Sequence, residues 1–81
     1  MNKYIATFYS HFGAVRYKKT CEEQGIVAKI MPVPRTLSSS CGTCVSYMGD
    51  SNIIDDNYID ELEQIVIVTD DGYTMVYSSE D

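Results

Sequence analysis

The first third of the chain constrains the fold most, because start and stop signals for three elements follow one another there without a gap. Residues 3–9 (Lys-Tyr-Ile-Ala-Thr-Phe-Tyr) are rich in β-branched and aromatic side chains and predict a strand. Ser10 is a suitable N-cap for a helix from about His11 to Gln24. Within it, Ala14, Val15, Lys18 and Cys21 or Glu22 follow helical spacing, with Phe12, Val15 and Lys19 on a neighbouring stripe. Gly25 supplies the positive φ that ends a helix most cheaply. Residues 26–33 then predict a second strand, stopped by Pro32 and Pro34.

The second half is less decisive. Residues 43–48 have strand character and residues 49–52 form a polar turn. Beyond them, Asp55, Asp56 and Asn57 can cap a helix in which Tyr58, Leu62, Ile65 and Thr69 share a face, with Ile59 and Val66 beside it. Against this, Ile65-Val66-Ile67-Val68-Thr69 is an unbroken β-branched run, and Asp71-Gly72 is a hairpin signal. Local propensity thus favours a hairpin over residues 57–70, whereas the internal order of the chain favours a helix. With a helix there, the second half repeats the first: strand, helix, glycine, strand, ending at residues 73–78. Weighting that repetition, the expectation is a ferredoxin-like βαββαβ sandwich, a four-stranded antiparallel sheet with two helices on one face, in one domain spanning residues 1–81.

The chemistry concentrates in residues 32–44, Pro-Val-Pro-Arg-Thr-Leu-Ser-Ser-Ser-Cys-Gly-Thr-Cys. Residues 36–49 carry no charged side chain, unlike an ordinary solvated linker. Cys41 beside Gly42 therefore reads as a reactive thiol, against the plainer reading of a small apolar residue opening a strand. Gly42 would let the backbone approach an adduct closely, and the N–H groups of residues 38–41, Ser39 and Ser40 among them, could cradle an anion. In the expected topology the helix N-terminus at Ser10 and His11 lies near this loop. Its partial positive charge, with Arg35, would favour a thiolate, while Asp70-Asp71 at the same edge would oppose it. His11, the single histidine, is a candidate base or hydrogen-bond donor for Cys41, or a surface residue at the helix start. Cys44 is a candidate resolving thiol or a buried strand residue, and Cys21 belongs to the core.

Composition sets aside several classes. The formal charge is −6, with all six basic residues within positions 1–35 and ten of the twelve acids from Asp50 onward. Without a clustered basic patch, nucleic-acid binding is not expected. Nor is membrane insertion, since no apolar run approaches the ~20 residues a spanning helix needs. Three cysteines and no secretory leader fit a reducing cytoplasm better than a disulfide scaffold. A single Cys-x-x-Cys is a weak zinc signal, and there is no phosphate-binding glycine loop, paired catalytic carboxylate or serine-nucleophile motif. Neither a metal nor a cofactor is expected, and a non-enzymatic role is favoured.

The order Ser10-His11, Ala14, Gly25-Ile26, then Pro32-Val33-Pro34-Arg35, Leu37 and Ser38-Ser39-Ser40-Cys41-Gly42, resembles the selenium/sulfur carrier protein-like family of small bacterial and archaeal domains. The likeness is strongest over residues 4–47 and fades over 50–81. It implies a sulfur or selenium atom held on Cys41 as a persulfide-type adduct and passed between donor and acceptor proteins. Cys44 departs from the family pattern. Its thiol could attack such an adduct, releasing sulfide and leaving a Cys41–Cys44 disulfide, so a thiol–disulfide redox module is a second reading. A third is a non-catalytic interaction domain, a homodimer through the sheet edge, guided by the charge asymmetry.

Overall fold

The computed structural model describes residues 2–34, 37, 42–49 and 61–79. The opening strand β1 (Asn2–Phe8) and helix α1 (His11–Glu23) form where their signals place them. Ser10 sits in extended conformation (φ −139°, ψ 155°), and its Oγ accepts from Gly13 N at 3.3 Å, satisfying one of the donors a helix start leaves open. At the other end Gly25 takes φ +78°. Ile26 N then donates to Cys21 O at 2.9 Å and Gly25 N to Glu22 O at 3.1 Å, the paired bonds of a Schellman stop.

From there the chain runs through β2 (Ala28–Pro32), β3 (Thr43–Gly49), β4 (Leu62–Thr69) and β5 (Gly72–Ser78). The sheet order is β2-β3-β1-β4-β5 and every neighbouring pair is antiparallel. Because β3 lies between β1 and β2, those two strands are parallel, and α1 is the crossover that a parallel pair requires.

This overturns the expected four-stranded, two-helix ferredoxin-like sandwich. Five strands and one helix are present among the described residues, and the stretch read as the end of a second helix is β4. The reason is physical. Ile65, with Ile67 packed beside it, faces the α1 side of the sheet, while Val66 and Val68 pack on the far side. With both faces covered, a continuous β-branched run is what a central strand needs, and its stiff χ1 rotamers favour that conformation. Thr69 pairs with Gly72 across a two-residue turn, Gly72 has φ +127°, and Thr69 Oγ1 donates to Gly72 O at 3.1 Å. The hairpin signal thus prevails over internal repetition.

The main core lies between α1 and the sheet. Ala14, Tyr17 and Cys21 meet Tyr4, Ala6, Phe8, Val45, Tyr47, Leu62 and Ile65, all buried. Of the residues at helical spacing, Ala14 and Cys21 are buried while Val15 and Phe12 are exposed, and Tyr17 takes the central place. Ring centroids are 5.2 Å apart for Tyr4–Tyr47 and Phe8–Tyr17, and 5.3 Å for Tyr17–Tyr47. Such pairs contribute about 0.5–1.5 kcal/mol each beyond their burial. A second, smaller cluster of Ile5, Cys44 and Val66 lies on the far face, with Met31, Val33, Leu37 and Val68 packed against it.

Candidate functional site

β1, β2 and the helix-start turn all reach one end of the sheet, where β3 begins. Pro32 is paired with Thr43, and Val33 N donates to Gly42 O at 3.2 Å, so the two arms of the cysteine loop leave the sheet side by side. Leu37 N donates to Pro34 O at 3.0 Å, a turn that starts the loop, and Leu37 packs on the far-face cluster. Arg35, Ser39, Ser40 and Cys41 lie outside the described residues. Gly42 is exposed at φ +73° with open space where a Cβ would stand, so its glycine is required by backbone conformation rather than by crowding.

Cys44 projects from β3 onto the far face, opposite α1. Its Cα partners are Thr7 on one side and Met31 on the other. It is fully buried, with Sγ 3.7 Å from the Pro32 carbonyl oxygen, toward which a thiol can donate. Thr7, beside it, is equally buried, and its Oγ1 has no hydrogen-bond partner among the described residues. Cys21 lies on the other side of the sheet, under α1. Burial, reinforced by Glu22, pushes its thiol up to about 11, so it is no nucleophile at neutral pH.

His11 is exposed at the first position of α1, at the sheet end where the loop begins. Among the described residues the acid that meets the helix start is Glu61, not Asp70-Asp71. β4 starts beside Phe8 and runs away from it, which carries the Asp70-Asp71 turn to the opposite end of the sheet. Ser10 Oγ donates to Glu61 Oε1 at 2.5 Å, Tyr9 N donates to Glu61 O at 2.8 Å, and Arg16 stands 4.0 Å from Oε2. A carboxylate therefore already occupies the positive end of α1. Nothing in the local spacing marks Glu61, whose partner Ser10 is 51 positions away.

No group of three or more metal-ligating side chains exists among the described residues. Likewise, no helix among them is long and apolar enough to cross a membrane.

A buried β3 cysteine and a glycine-ended loop, set on one end of a sheet backed by a single helix, define a small α+β domain that presents a cysteine loop. Over residues 3–66 the chain matches the model of the family described as "Putative Se/S carrier protein-like", and it belongs to that family. The matched span runs from β1 through the cysteine loop and into β4. No curated protein and no solved structure matches the chain.

Proposed function

We propose that the protein carries sulfur or selenium on Cys41 and hands it between protein partners. Membership of the carrier family across residues 3–66 is the observation that supports this reading, because the matched span includes Cys41. In the loading step the Cys41 thiolate attacks the outer sulfur of a donor's persulfide. A Cys41 S–S bond forms, the donor's S–S bond breaks, and the donor cysteine leaves as thiolate. The exchange has no net oxidation or reduction. In delivery an acceptor nucleophile attacks the terminal sulfur and Cys41 departs as thiolate. Gly42 leaves the backbone beside the adduct uncovered, and Arg35, His11, Ser39 and Ser40 are the residues proposed to hold its negative charge.

Cys44 can enter this chemistry only by leaving its buried position against the Pro32 carbonyl. That burial favours the carrier reading over the redox module. Intact-mass measurement after incubation with a persulfide donor should show a gain of one sulfur atom in the wild type and in Cys44→Ala, and none in Cys41→Ser. An undiminished adduct in Cys41→Ser overturns the reading. Loss of two hydrogens with sulfide release, abolished by Cys44→Ala, would establish the redox module instead.

A further inference from the structure

The two edges of the sheet are built differently. β2 carries Lys29 and ends in Pro32, two devices that discourage a further strand from pairing. β5 has neither a charge nor a proline between Gly72 and Ser78. Met75, Val76 and Tyr73 are 56%, 46% and 38% exposed along it. The β4–β5 register shifts between Ile65 and Val66, leaving Val76 as the extra residue, so the regular outward edge is Gly72 to Met75.

Beside that regular stretch, on the far face of the sheet, lies a groove of about 510 Å³. Val66, Gln64, Tyr73 and Met75 line it with Leu37 and the turn residue Asp71. Leu37 and Val66 also belong to the cluster that covers Cys44, so the groove runs from the exposed edge to the base of the cysteine loop.

Charge selects the occupant. Asp71 lines the groove and Asp70 precedes it, so the turn end of this edge is acidic. A second copy brings the same net charge of −6 and the same Asp70-Asp71 turn to this edge, and like charges brought together are destabilising. A partner of opposite sign meets no such repulsion. We propose that the β5 edge and its groove dock an extended segment of a partner protein, with a large apolar side chain in the groove and a lysine or arginine against the Asp70-Asp71 turn. The segment adds a strand by main-chain hydrogen bonds and is selected by the groove and the turn. On the carrier reading, on which this assignment of the partner rests, the segment belongs to the sulfur donor or acceptor. Both the turn and β5 lie beyond the residues the family model matches.

The test uses the full-length, isotope-labelled Cys41→Ser protein and two synthetic peptides, Lys-Thr-Val-Thr-Leu-Thr-Val-Thr-Lys and the same sequence with glutamate at both ends. The lysine peptide should shift the amide resonances of residues 71–75 and Leu37. It should bind about tenfold more tightly than the glutamate peptide, a difference of about 1.4 kcal/mol. The advantage should disappear in Asp70→Lys/Asp71→Lys, and Met75→Lys, at an exposed position, should abolish the shifts. Equal binding of both peptides, shifts confined to β2, no shifts at all, or peptide-free dimerisation through β5 would each overturn the proposal. Sulfur loading of the wild type is scored separately. Peptide binding without loading defeats the carrier reading alone, and loading without peptide binding defeats the docking surface alone.

Discussion

Cys21 and Cys44 are both buried, yet the sheet separates them, and their surroundings give them different chemistry. Cys21 is enclosed between α1 and the sheet, where burial and Glu22 hold its proton to about 11 against an ordinary value of 9.0. The unfolded chain releases that proton first, so between these values it binds fewer protons than the folded one and stability falls as pH rises. The loss should reach on the order of 2–3 kcal/mol above pH 11 and be absent below pH 9. Chemical denaturation across that range, compared with Cys21→Ala, checks it: the variant should lose this part of the slope. Cys44 differs, because its sulfur already has the Pro32 carbonyl as an acceptor and it packs with Ile5 and Val66 on the face away from the helix.

The contact of α1 with the sheet depends on a residue that has no side chain. A Cβ at Gly13 would stand 2.9 Å from Glu61 Cβ and 3.2 Å from Phe8 Cδ2, so the helix reaches this depth only with glycine there. Gly13→Ala should therefore lower stability by about 1 kcal/mol, although alanine is the better helix former by a similar amount. A lower urea midpoint at unchanged slope is the expected result; a raised midpoint would show that Glu61 gives way. The ends of α1 were legible in the sequence because Ser10 and Gly25 act through bonds within a few residues. The buried face is less legible, since Tyr17 competes with Val15 at neighbouring positions and only the sheet decides between them. β4 departs from the expected helix because its β-branched run decides the local conformation, and the chain does not follow the repeated order of elements. Of the proposed site, Cys41 and its loop stand out by composition, whereas Glu61 is placed by long-range strand pairing that leaves no local trace.

At the scale of the molecule, the two faces of the sheet differ among the described residues: a capped helix packs on one, and on the other lies the small cluster on which Leu37 rests. The far side should open first, since a small cluster with only partly buried side chains around it opens more readily than a packed helix. In a Cys41→Ser background, a thiol reagent should label Cys44 well before Cys21. Leu37→Ser should speed Cys44 labelling several-fold while leaving Cys21 protected. Equal rates for the two cysteines, read by mass spectrometry after digestion, would mean that both faces are released together. The position of β1 carries a different consequence. It is the central strand, pairing with β3 on one side and β4 on the other. On the ribosome, β1 is made before either neighbour and stays without a pairing strand until residues 43–49 and then 62–69 have emerged. Because β1 waits for distant segments, the sheet cannot be laid down in the order of synthesis, and chains halted before β4 is made expose the apolar edge of β1 to the cell's chaperones.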